Sequence, residues 1–284
     1  MDQLRSEIKH NFLKKIIFRL DYEGLMDIDI EKCIVLLREK IFASGFVHME
    51  NRIENQIDFQ MKVDLNIPDE NQFSVSNTNK NMIYSFSSDK GELLEISKSV
   101  LSLIVDIDMT YETFDKYMEL LAESIDKIKQ CSLYFRTVRI GLRKINICLL
   151  ENLAELSTYF TRAAFNINDI VEIYNDYECV ASNMSTILSK NNYQINYVRN
   201  IQEGVMQQED GSQKTMYQIV LDIDVNKEGN KEISSMLCNR ERIVETLNMQ
   251  NKIAFEVFAK SLSGKLIEAL KQEKFSERTI IGVI

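Results

Sequence analysis

The segment RTVRIGLRKIN, residues 136–146, sets Arg139 and Arg143 on either side of Gly141 in a run that alternates like a strand. Alternation puts Val138, Ile140 and Leu142 on the core side and Thr137, Arg139, Gly141 and Arg143 on the other. The two guanidinium groups then stand about 13 Å apart along the strand, with a notch free of side chain between them. Arginine recognises carboxylate or phosphate through a planar fork, so the expected chemistry is binding of an anion. With 43 acidic residues in the chain, the first candidate is an Asp or Glu of the protein itself or of a second subunit; a ligand phosphate or nucleic acid backbone comes after it. The bland alternative is a solvated strand face whose arginines pair with neighbouring carboxylates.

Acidic pairs come next. Asp27 with Asp29, Asp106 with Asp108 and Asp222 with Asp224 each form an Asp-Ile-Asp triplet, which on a strand would point two carboxylates to one side, as a metal site requires. Gly211-Ser212 precedes Asp222 at the spacing used by polymerase-beta-type nucleotidyltransferases to hold two Mg²⁺ ions. There, however, the Gly-Ser opens a helix, whereas here it sits in the turn QEDGSQK and a strand follows at once. The context favours aspartates on an ordinary strand, and Asp222/Asp224 are kept as the metal alternative. His10 and His48 lack partners at ligand spacing. No G-x-S-x-G and no glycine-rich phosphate loop is present, and no cofactor is expected.

Composition sets the outer bounds. The chain has 284 residues, 45% apolar and 27% charged, long enough for one large or two modest domains. A net charge of −9 disfavours nucleic acid held by bulk electrostatics, leaving only a local basic patch such as Arg139, Arg143 and Lys144 for that role. The five cysteines are odd in number, scattered and without a C-x-x-C pair, which reads as buried, reduced thiols in a cytoplasmic protein. No signal peptide or membrane span is read.

The elements that must position these residues follow from periodicity. Phe12, Ile16, Phe18, Leu20 and Tyr22 alternate with polar residues, as do Tyr193 to Ile201, Tyr217 to Val225 and the stretch from Arg52 to Leu65. Helical stripes run from Ile30 to Ile41, with Asp29 as the N-cap, and from Phe114 to Ile128 after Thr110. Asn239 to Lys271 reads as one long helix of about 45 to 50 Å. Residues 66–81, with the only proline, read as a polar excursion between strands. The fold class is α+β, with mostly antiparallel sheets packed by amphipathic helices and a long C-terminal helix. A soft boundary near Leu150 divides it into residues 1–150 and 151–284.

The same segment resembles the Arg-x-Gly-Leu-Arg-Tyr-x-Asn hallmark of a sporadically distributed, uncharacterised bacterial family of about this length. In that family the hallmark strand follows a helix opening with an aromatic, as TYETFDKYMELL does here. NFLKKIIFRLDYEGL, LLEISKSVLSLIV and MQNKIAFEVFAKSL are similar to its hydrophobic pattern. Arg139, Gly141, Leu142, Arg143 and Asn146 match by position, and Lys144 stands in place of the tyrosine. The resemblance implies accessory genes of mobile or defence-associated regions, with a shared surface and a protein partner from the same operon rather than a reaction. Together these readings predict a non-enzymatic interaction or ligand-binding module with Arg139, Gly141, Arg143, Lys144 and Asn146 at its site. It is expected to be a homodimer through the long C-terminal helix or a sheet edge. The alternatives are a metal-dependent nucleotide-processing enzyme using Asp222 and Asp224, or a nucleic-acid binder.

Overall fold

Period-two burial builds one face of a sheet from both halves of the chain. In β1 (Leu13–Glu23) Ile16, Phe18, Leu20 and Tyr22 are buried, and in β9 (Gln213–Glu228) Ile219, Leu221, Ile223 and Val225 are buried, with half-exposed or exposed polar residues at many of the positions between. The computed structural model describes residues 2–61, 73–107, 114–166, 179–207, 211–275, 277 and 279–282, without the side chains of Asp2, 55–61 and 73–80. The remaining strands are β2 (His48–Met61), β3 (Phe73–Ser87), β4 (Leu93–Ile96), β5 (Val100–Asp106), β6 (Arg136–Leu150), β7 (Ala181–Lys190), β8 (Tyr193–Gln207) and β10 (Ile280–Ile281). They form one ten-stranded sheet in the order β2-β3-β4-β5-β1-β6-β9-β8-β7, with β10 paired to β6 and every pairing antiparallel. The fold is α+β, as the alternation of elements requires.

Helices cover the apolar face. They are α1 (Asp2–Glu7), α2 (Asp27–Ala43), α3 (Asp115–Gln130), α4 (Leu156–Tyr159), α5 (Asn230–Met236), α6 (Arg240–Ser261) and α7 (Gly264–Lys271). One apolar cluster joins α2 and α3 to β1, β4 and β5; a second joins α6 and α7 to β8 and β9. Between them α6 crosses β6 and β9 on polar groups. Gln250, fully buried, donates through Nε2 to the carbonyls of Ile140 at 3.4 Å and Val225 at 3.1 Å.

Four expectations change. Helix α2 begins at Asp27, and Asp29 is not the N-cap but the third helical residue, its carboxylate accepting from the Met26 N–H at 3.0 Å. The pair Asp27/Asp29 therefore lies in a first helical turn, not on a strand. Residues 73–81 of the expected excursion belong to β3, which pairs with all of β2; Asn66 to Gln72 lie outside the described residues. The polar composition of residues 73–81 concealed a strand that pairs with β2. The long C-terminal helix is broken at Leu262 and Ser263. Leu262 bridges to Phe160, and Ser263 Oγ caps α7 by accepting from Leu266 N–H at 3.2 Å. Finally, Cys33 and Cys148 are buried, but Cys131 and Cys179 are half-buried and Cys238 is exposed; all five are free thiols. No described helix is long and apolar enough to cross a membrane.

Candidate binding face

The side of the sheet opposite the helices carries Arg139, Gly141 and Arg143 of the hallmark strand. Strand β6 lies between β1 and β9, and its register sets Gly141 opposite Arg19 on one side and Asn226 on the other. Arg143 stands opposite Ile17 and Asp224. The next position along this face, Asp222, faces Ile145. The Arg-Gly-Arg and Asp-Ile-Asp motifs, about eighty residues apart in sequence, are thus neighbours.

Their side chains pair diagonally. Arg143 forks onto Asp222, with Nε donating to Oδ1 at 2.8 Å and Nη2 to Oδ2. This contact raises the Arg143 pKa, against the opposing effect of burial. Arg139 instead reaches past Gly141 to Asp224, Nη2 to Oδ2 at 2.7 Å. The same oxygen also accepts from Asn196 Nδ2 at 3.3 Å and Asn226 Nδ2 at 3.1 Å. Asp224 therefore has three donors converging on it, and its side chain is only 16% exposed.

Gly141 is the notch that the alternation anticipates, but its occupant is internal. A Cβ at Gly141 would come within 2.9 Å of both terminal nitrogens of Arg139, so glycine leaves the space through which that guanidinium passes. Val138 and Thr137 exchange the places expected of them. Asp21 pairs with Arg139 but Tyr22 with Thr137, so Val138 is the extra residue of a bulge in β6, which buries Thr137 and leaves Val138 at 47% exposure.

Lys144 and Asn146 do not join this face. Both lie on the helix-covered side, where Lys144 Nζ donates to Asn251 Oδ1 at 2.6 Å and Asn146 Nδ2 donates to the Leu221 carbonyl at 3.3 Å. Burial, with some help from Arg5 and against Asp115, pushes the Lys144 amine down to about 7. A patch of Arg139, Arg143 and Lys144 for nucleic acid is not assembled. His48 pairs with Asp89 at 2.8 Å, and His10 packs edge-on to Phe275. Asp106 pairs with Lys15 at 2.9 Å, while Asp108 and Thr110 lie outside the described residues.

The ladder of charge continues toward β2. Arg19 donates to Asp21 at 2.7 Å, and Arg52 to Glu95 at 2.6 Å, with Ser85 and Ser102 also donating to Glu95. Arg19, Asp21, Arg52, Glu95 and Ser102 line a hollow of about 360 Å³ on the open face, with Asn81 in its wall. The sequence shows Arg19 and Arg52 as polar alternates; only strand order reveals that Glu95 lies between them, because alternation fixes a face and not a neighbour.

What this arrangement can do is present matched charges to a surface. Asp222 and Asp224 are each engaged by an arginine, so a divalent cation would have to displace a guanidinium to reach them. Among the described residues, no group of three His, Cys, Asp or Glu is placed to hold a metal. No protein-family model matches the chain, and no curated protein matches it.

Proposed function

We propose that the protein is a non-enzymatic interaction module whose open sheet face docks a protein partner. What carries this reading is the pairing of Arg139 with Asp224 and Arg143 with Asp222 on a sheet face that bears no packed helix among the described residues. Such a face holds its charges in fixed, neutralised positions, a surface suited to specificity rather than to attraction of a polyanion. Half-buried Ile17, Ile104 and Ile145 between the charged pairs supply apolar area for contact. The hallmark resemblance adds that the partner is encoded beside this protein in a bacterial accessory or defence system; the scattered cysteines without a C-x-x-C pair support a cytoplasmic setting, and an uncovered sheet edge supports a homodimer.

The test is capture from the native host with tagged wild type and Arg143→Glu, which sets a carboxylate against Asp222. A partner in fixed stoichiometry with the wild type, and reduced at least tenfold with the variant, is expected. Equal capture by both chains, or no stoichiometric partner, overturns the reading.

A further inference from the structure

Strand β2 ends the sheet order, so its outer edge has no strand partner among the described residues although it is 14 residues long. Long, flat, unpaired edges are usually blocked by proline, bulges or a covering element, because they template pairing with another chain. The apolar surface beside this edge is also uncovered. Ile53, on the helix side of β2, is 56% exposed, and Met49 on the same side is 50% exposed. Helix α2 overlooks them. Lys40 on one flank of that helix reaches Glu123 of α3, while Ile28, Val35 and Phe42, spaced by sevens, form an exposed apolar line on its outward side, away from the buried stripe of Ile30, Cys33 and Leu37. Eight of the sixteen large apolar side chains exposed among the described residues fall between Met26 and Ile53, which concentrates the uncovered surface at this edge.

We infer that the edge of β2 is a homodimer interface, in which a second copy continues the sheet by antiparallel pairing about a two-fold axis at Ile53. The sequence of β2 matches itself in this register. Arg52 stands opposite Glu54 of the second copy and Glu54 opposite its Arg52, while Ile53 meets Ile53. Moving the axis one residue, to Arg52 or to Glu54, sets like charges against each other at the axis itself, so the charges exclude those two registers. Pairing in this way keeps the helices of both copies on one side of the joined sheet and brings the exposed Met49 and Ile53 of the two copies side by side there. The C-terminal helix offers less. Ten residues of α6, including Ile243, Leu247, Ile253 and Phe258, are already buried within their own chain.

The inference rests on the proposal that the chain self-associates, and the experiment separates the two. Sedimentation equilibrium of the full-length wild type at micromolar concentration should give twice the chain mass of 33.1 kDa. Arg52→Glu and Glu54→Arg should each run as monomers, since one variant opposes acids and the other opposes arginines. Mixed in equal amounts they should form a heterodimer, because the first variant then carries acids at both positions and the second carries arginines at both. Ile53→Asp, with two carboxylates on the axis, should be monomeric as well. A monomeric wild type overturns self-association itself. A dimeric wild type whose single variants remain dimeric, or whose mixed variants stay monomeric, overturns this interface and leaves self-association standing.

Discussion

The guanidinium of Arg139 lies where a side chain at residue 141 would be, with both terminal nitrogens 2.9 Å from a Cβ built on that glycine. Gly141 and the Arg139–Asp224 pair are therefore one device. In wild type, Gly141→Ala should displace the guanidinium and weaken that pair, cancelling or outweighing the benefit of a stiffer strand. In an Arg139→Ala background the same substitution should stabilise by about 0.5–1 kcal/mol, the usual penalty of glycine inside a strand. A double-mutant cycle by urea denaturation checks this, and identical effects in both backgrounds would show that the two residues are uncoupled.

Asp222→Asn should cost about 1 kcal/mol or less, because the Arg143 side chain is 46% exposed and solvent screens the pair. Mn²⁺ or Mg²⁺ with nucleotide should leave the thermal midpoint of the wild type unchanged, since the carboxylate is already engaged. A cation-dependent rise abolished by Asp222→Ala would restore the nucleotide-processing reading.

Two glycines with similar backbone angles separate local strain from collision. Gly24 has φ +88°, and a Cβ there would lie 1.9 Å from the Tyr134 carbonyl oxygen; Gly45 has φ +95° and nothing within 4 Å of the same atom. Gly45→Ala should cost about 1 kcal/mol, the strain of the left-handed backbone alone. Gly24→Ala must also part the end of β1 from the α3–β6 connection, which Ser132 Oγ ties to the Gly24 carbonyl at 2.8 Å. It should cost roughly 3 kcal/mol or more. Comparable thermal midpoints for the two variants would refute the collision.

These pairs mark how far the sequence can be read. Phe18, Leu20, Leu221 and Ile223 announce their strands because one face is buried, and burial leaves an apolar period. Residues 74–81 are polar at all but one position, and the strand they form shows only in its backbone pairing to β2. Ser263-Gly264 is a visible break signal, yet the apolar stripe runs on through Leu262, Leu266 and Leu270 because α6 and α7 bury against the same core. Arg139, Arg143, Asp222 and Asp224 stand out individually. Their meeting was not legible, because it depends on β6 lying beside β9, and face alternation carries no information on strand order. The side taken by Lys144 is a different matter: strand parity with Ile140 and Leu142 places it under the helices, and only its position in the motif groups it with the arginines.

Lys144 supplies the pH dependence. Its amine, held chiefly by burial at about 7 against an ordinary 10.5, is bonded to the amide oxygen of Asn251, with Arg5 acting in the same direction as burial and Asp115 opposing it. A lysine with a lowered folded-state pKa binds fewer protons in the native than in the unfolded chain between those two values. The unfolding free energy must therefore rise with pH from about 7 to about 10.5 through this group, and below 7 the cost of burying the ammonium is present in full. Lys144→Met keeps the apolar stem and removes the titration, at the expense of one hydrogen bond to Asn251. The variant should be more stable than wild type at pH 6, and that advantage should shrink or reverse by pH 10. Urea midpoints of both chains across this range check the sign, with the difference between them cancelling the titration of cysteines and tyrosines common to both. If the difference does not vary with pH, the Lys144 amine is charged in the folded chain throughout, and its site under α6 is wetter than its burial implies.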